Sequence, residues 1–181
     1  MDLTLTKVIL LVEDDENDIE FMQMAMKKAG IGHLLRIASD GRQATDYLDG
    51  LGAFADRRKN PLPCLVLLDL KLPIMMGMDV LKWVRQQPRL TTMVVIILSS
   101  SSQEADMVKC YRLGANAYLV KPSEPKMLYD LVEMLKGFWF TLNQPTAEAA
   151  DPSLTKEPVG FVGLPESSMP LAVSSAHVRP V

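Results

Sequence analysis

Cysteine and histidine are scarce, two of each in 181 residues. Cys64 and Cys110 stand far apart, each inside a segment of apolar character. They read as small buried hydrophobes rather than a disulfide or a metal pair. A reducing, cytoplasmic compartment is the expectation. A basic excess is also missing. The formal net charge is −3, which gives no positive field for nucleic acid and no attraction to an anionic membrane. No apolar run reaches the ~20 residues that spanning a bilayer requires. The N-terminus lacks the basic start and small-residue cleavage site of a signal peptide. There is no internal repeat. The first apolar run is followed by acids and not by the Ser, Thr and Gly of a phosphate-binding loop, which argues against an FMN carrier.

Hydrophobic residues make up 48% of the chain, enough for a real core in one domain of ordinary size. Short, largely apolar runs cover residues 7–12, 65–68, 93–98 and 117–120, and 34–38 reads as a further short strand interrupted by Arg36. Continuous apolarity over so few residues marks strands buried on both faces. Helical periodicity follows each run. Asn17-Asp18 is the expected N-cap of the first helix, and Gly30 its stop. The last helix is expected over residues 124–142. Five strand–helix alternations demand crossover connections, hence a parallel sheet with helices on both faces. Residues 53–63 form a longer charged connection, read as a solvated loop. From Asn143 the composition shifts to scattered prolines among Ala, Ser, Glu and Gly. The expected organisation is therefore a domain over 1–142 and a disordered tail over 143–181.

Chemistry gathers where the strands end. Glu13 and Asp14 close the first run, Asp69 the third, Ser99 the fourth and Lys121 the fifth. Parallel sheets bind ligands at that carboxyl edge. Each residue alone has a plain structural reading: a helix cap, a solvated lysine, a serine in a loop. Together they make a site. Three clustered carboxylates need a cation, and an all-oxygen set suits Mg²⁺. A carboxylate can attack phosphorus, and phosphoryl transfer needs little beyond positioning and charge neutralisation. Lys121 would supply the second positive charge, and the Ser99 hydroxyl a hydrogen bond.

The run 8–15 with its terminal acids resembles the opening motif of response regulator receiver domains. Asp69 followed by Pro73 and Gly77 resembles the family's phosphoacceptor loop, and Lys121-Pro122 its lysine–proline pair, usually joined there by a cis bond. The resemblance implies a flavodoxin-like, doubly wound α/β fold, a (βα)5 sheet of five parallel strands. It implies a two-component phosphoacceptor switch, not an enzyme acting on a separate substrate. Asp69 would take a phosphoryl group from a sensor histidine kinase. Asp14, Asp69 and the Lys71 carbonyl would hold Mg²⁺, with Glu13 acting through a water. Ser99 and Tyr118 would form the switch, altering the face made by the fourth helix, fifth strand and fifth helix. His33 and His177 would be incidental. Ser101 lacks the acid or amide that would orient a hydrolytic water, which implies slow self-dephosphorylation. A phosphate sink, or a pseudo-receiver that binds without phosphorylation, is the alternative.

Finer motifs resemble the stand-alone regulators paired with bacterial phytochrome histidine kinases: residues 40–44, the 53–63 insertion and 69–73. No DNA-binding segment is seen after the last helix, so no nucleic-acid partner is expected. Phe138, Trp139 and Phe140 point three ways at that helix's end and overfill one face. This is the expected seam of a homodimer.

Overall fold

A computed structural model describes residues 8–143. Apart from Asn143, the expected tail lies outside the described residues. The strands are β1 (Ile9–Val12), β2 (Leu35–Ala38), β3 (Leu65–Leu68), β4 (Val95–Ser99) and β5 (Ala117–Val120). The helices are α1 (Glu16–Lys28), α2 (Gly41–Asp49), α3 (Gly77–Gln86), α4 (Glu104–Arg112) and α5 (Pro125–Lys136). All strand pairs are parallel, in the order β2-β1-β3-β4-β5.

Every residue of β1, β3 and β4 is buried, as their unbroken apolarity requires. The two-residue period of a strand splits them between two cores. Leu10, Val12, Val66, Leu68 and Ile97 meet Leu48 of α2, Val80 and Leu81 of α3 and Cys110 of α4. Ile9, Leu11, Leu65, Leu67 and Ile96 meet Met22 and Met26 of α1 and Val132 and Leu135 of α5. The chain leaves β1 towards one side of the sheet and returns through β3 on the other. The carboxyl ends of β1 and β3 therefore face a crevice at the reversal point.

Several boundaries differ from the sequence expectation. Asp15, not Asn17-Asp18, caps α1: its carboxylate accepts from the Asn17 and Asp18 N–H groups at 2.9 and 3.1 Å. Those hydrogen bonds hold the Asp15 carboxyl below its ordinary pKa, that of Asp18 foremost. The connection over 53–63 is not merely solvated. The Arg57 guanidinium donates to the carbonyls of Tyr47 and Leu48, both at 2.7 Å, and so closes the end of α2. Phe54 packs on the Tyr47 ring, and the Tyr47 hydroxyl donates to the Pro61 carbonyl. All peptide bonds among the described residues are trans, Lys121–Pro122 included.

The last helix does not run regularly to Leu142. α5 ends at Lys136, and Gly137–Leu142 continue as π-helical turns. The wider turn re-phases the side chains. Trp139 and Phe140 consequently pack, partly buried, on the core shared by α1 and α5. Phe138 is left half-exposed, its ring edge-on to Trp139. Of the three aromatics expected at a dimer seam, two therefore face their own domain.

Candidate functional site

The acidic cluster is built by strand ends. The Asp69 N–H donates to the Val12 carbonyl and the Glu13 N–H to the Ala38 carbonyl, each at 3.0 Å. The sheet's own hydrogen bonds thus fix Glu13 and Asp69 side by side. Both are buried, while Asp14 next to them is exposed. Glu13, Asp14 and Asp69 each offer an oxygen, all within 4.8 Å of one another. One oxygen of Asp69, Oδ2, accepts from the Lys71 N–H at 2.9 Å. The other, Oδ1, is buried with no hydrogen-bond partner.

A buried carboxylate oxygen without a donor is costly unless something charged completes it. Three clustered carboxylates add mutual repulsion. A hard divalent cation meets both demands, and oxygen donors are its preferred ligands. The residues present fit such an ion.

Lys121 enters from the end of β5, which the Lys121 N–H extends by donating to the Ser99 carbonyl at 2.9 Å. Its Nζ stands 2.6 Å from Glu13 Oε2, 2.7 Å from Asp18 Oδ2 and 3.5 Å from Asp69 Oδ1. Burial alone would lower the pKa of this ammonium. The hydrogen bonds to Asp18 and Glu13 outweigh it, and the net shift is upward. Glu13 shifts upward too, because burial outweighs what Lys121 gives back.

Ser99 is fully buried at the end of β4. Its Oγ accepts from the Ser101 N–H at 3.3 Å. Ser101 links two further groups: its carbonyl accepts from the Tyr118 hydroxyl at 2.9 Å, and its Oγ donates to Asp106 of α4 at 2.7 Å. Burial raises the Tyr118 phenol above its ordinary pKa, with the hydroxyl already turned to the loop after β4.

The loop after Asp69 is closely fitted. A Cβ on Gly77 would overlap the Asp69 carbonyl, so only glycine lets α3 begin this close to the site. A Cβ on Gly41 at the start of α2 would overlap the Met75 carbonyl. In the same loop Ile74 takes φ 66° and is 82% exposed. A β-branched residue in that region is strained.

Glu13, Asp14, Asp69 and Lys121 thus share one edge, with Ser99 at the neighbouring strand end, and Lys71 orients Asp69 through its N–H. Phe138, Trp139 and Phe140 lie in the π-helical turns beyond α5. Asp18 and Asp106 were not among the expected site residues. Asp18 reads in sequence as part of a helix cap, and nothing local ties it to a lysine 103 residues away.

Residues 9–133 match the family profile described as "Response regulator receiver domain". The response regulator Rcp1 of Synechocystis sp. is 38% identical over 142 residues, which cover 78% of this chain and 95% of Rcp1. Its solved Mn²⁺-bound form superposes with a TM-score of 0.69 at 37% identity, covering 78% of this chain and 99% of that one. The phosphorylated cyanobacterial phytochrome response regulator RcpA gives 0.71 at 33% identity, covering 77% and 99%. The bacteriophytochrome response regulator RtBRR gives 0.62 at 42%, covering 79% and 86%.

Proposed function

This chain belongs to the response regulator receiver domain family, and on that premise we propose that it is a cytoplasmic phosphoacceptor switch loaded on Asp69 by a phytochrome-type histidine kinase. It would act as a switch and not as an enzyme on a separate substrate. The observation that carries the reading is Asp69 Oδ1, buried, unpartnered and adjacent to both an acidic cluster and a lysine. The phytochrome link rests on similarity to RcpA and RtBRR.

Asp14 and Asp69, with the Lys71 carbonyl, are the proposed ligands of Mg²⁺, and Glu13 is the proposed acceptor for a metal-bound water. The ion, when bound, offsets the carboxylates and the charge of the entering phosphoryl group. Asp69 Oδ1 attacks phosphorus, the P–N bond of the kinase phosphohistidine breaks, and the imidazole leaves. Lys71 holds the spectator oxygen, Oδ2. Lys121, with Nζ 3.5 Å from Asp69 Oδ1, would meet the new phosphoryl oxygens.

The acyl phosphate carries about −1.5 to −2 charges where the carboxylate carried one, and it presents three terminal acceptor oxygens. Ser99 Oγ would turn to donate to it and so give up the Ser101 N–H. Ser101 also holds the Tyr118 hydroxyl and Asp106 of α4. A change at the phosphate would thereby reach the α4–β5–α5 face, where Val108, Tyr111 and Val120 are exposed.

The partner of the outer face would be a second copy. Met127, Met134, Phe138 and Leu142 remain exposed along α5 and its π-helical extension. Light scattering on wild type and on Phe138→Ala/Leu142→Ala tests this: a dimer that the double variant converts to monomer supports it, and a monomeric wild type at tens of micromolar refutes it.

Labelling with acetyl phosphate and Mg²⁺ tests the main reading. Wild type should label and Asp69→Asn should not. Undiminished labelling of that variant would overturn the assignment. Incubation with a purified phytochrome histidine kinase and labelled ATP tests the kinase class: no transfer to wild type removes that link.

A further inference from the structure

We propose that Asp18 is a positioning residue that competes with the phosphoryl group for Lys121. The inference rests on the reading of Asp69 just given and adds a residue to it. An ammonium has three donors. Glu13 and Asp18 take the two short contacts, at 2.6 and 2.7 Å. Asp69 Oδ1 is left at 3.5 Å, within ion-pair range but without a hydrogen bond. The lysine that should serve the phosphoacceptor is therefore held by other acids.

The two holders differ. Glu13 is buried, and its second oxygen accepts from the Asp15 N–H at 3.2 Å. Asp18 sits on the first turn of α1 with its side chain 41% exposed. Water can replace the lysine at Asp18 at little desolvation cost, whereas releasing Glu13 would strand a buried charge. Asp18 is thus the partner that yields when phosphoryl oxygens arrive. Its negative charge also opposes the arriving group, so both effects have one sign. Removing that charge should favour the loaded state and leave the fold intact. The α1 cap does not depend on the Asp18 side chain, because Asp18 contributes only its N–H to Asp15.

The alternative is a purely structural role, an acid favoured at a helix N-terminus. Beryllofluoride, which mimics a phosphoryl group on a carboxylate, separates the two. The full chain at saturating Mg²⁺ is titrated with beryllofluoride and followed by amide NMR, alongside Asp18→Asn, Asp18→Ser and Asp18→Glu. The neutral variants should bind about three- to tenfold more tightly, the range spanned by a half-exposed ion pair and a charge-assisted hydrogen bond. Asp18→Glu restores the charge and should return to within about twofold of wild type. Equal or weaker binding by both neutral variants overturns the proposal, as does an Asp18→Glu value matching the neutral ones. A wild type that takes no beryllofluoride, with acetyl phosphate labelling also absent, overturns this proposal and the phosphoacceptor reading together. Thermal midpoints that fall in all three variants with unchanged affinity would assign Asp18 to the helix alone.

Discussion

The two edges of the sheet treat their cations in opposite ways. At the amino edge, where the helices end, three cations meet carbonyls, beside an ion pair of Arg89 with Asp49. Arg57 closes α2 through Tyr47 and Leu48. Arg85 donates to the carbonyls of Met93 and Gly114 and to the Asn116 side chain, which in turn accepts from the Val95 N–H. Lys136 donates to the Ala29 carbonyl at the end of α1. These contacts complete backbone groups that a helix end leaves open. At the carboxyl edge, Lys121 faces three carboxylates and hydrogen-bonds only two, and a buried oxygen of Asp69 goes without a donor. The first edge is satisfied and has no reason to change. The second is unsatisfied until a ligand arrives, so its arrangement depends on what binds.

The sharpest break in this contrast comes from the carboxyl edge. Asp69→Asn should lose all labelling by acetyl phosphate while its urea midpoint stays level or rises, because one of several like charges has gone. A large loss of stability would mean that the edge is structural. Next in size is Arg85→Met. It should cost about 2–4 kcal/mol in urea unfolding by stranding carbonyls of Met93 and Gly114. Labelling should persist wherever the variant is folded; lost labelling in folded protein would couple the two edges. Arg57→Met should cost less, about 1–2 kcal/mol, since it serves one helix end at the rim. The smallest effect has the opposite sign. Ile74→Gly should gain roughly 0.5–1 kcal/mol by removing the strain of a β-branched residue at positive φ. An equal loss in its place would show that the exposed Ile74 side chain contributes to the fold.

What the sequence showed and what it hid divide along similar lines. The three central strands were legible because burial on both faces leaves unbroken apolar runs, while β2 and β5, at the sheet's margins, are only partly buried. The acids and lysine were legible because each directly ends such a run. The order of the sheet added what periodicity lacks: Glu13 and Asp69 are neighbours only because β1 pairs with β3. The cap at Asp15 was not singled out because several residues of the polar run 13–18 can accept from a first-turn N–H, and only backbone geometry selects one. Arg57 was read as solvent-facing because its partners are carbonyls, which no side-chain pattern reveals. The inward packing of Trp139 and Phe140 depends on the change of helical pitch after Gly137. A reading at constant helical period sends three adjacent aromatics three ways and so left at least one of them to a partner.

Helix α1 is made first and secured last. Its two ends are tied by lysines from the closing part of the chain: Lys121 on Asp18 at the start and Lys136 on the Ala29 carbonyl at the finish, with Lys28 set over the Tyr129 ring between them. The first two ties span 103 and 107 residues. Contacts of such separation cannot form until most of the domain has been synthesised. During translation α1 thus packs on a sheet that still lacks α5 beside it. The domain closes only when its last helix emerges, and a chain interrupted before residue 121 would lack Val132 and Leu135, which complete the core that α1 shares with the sheet.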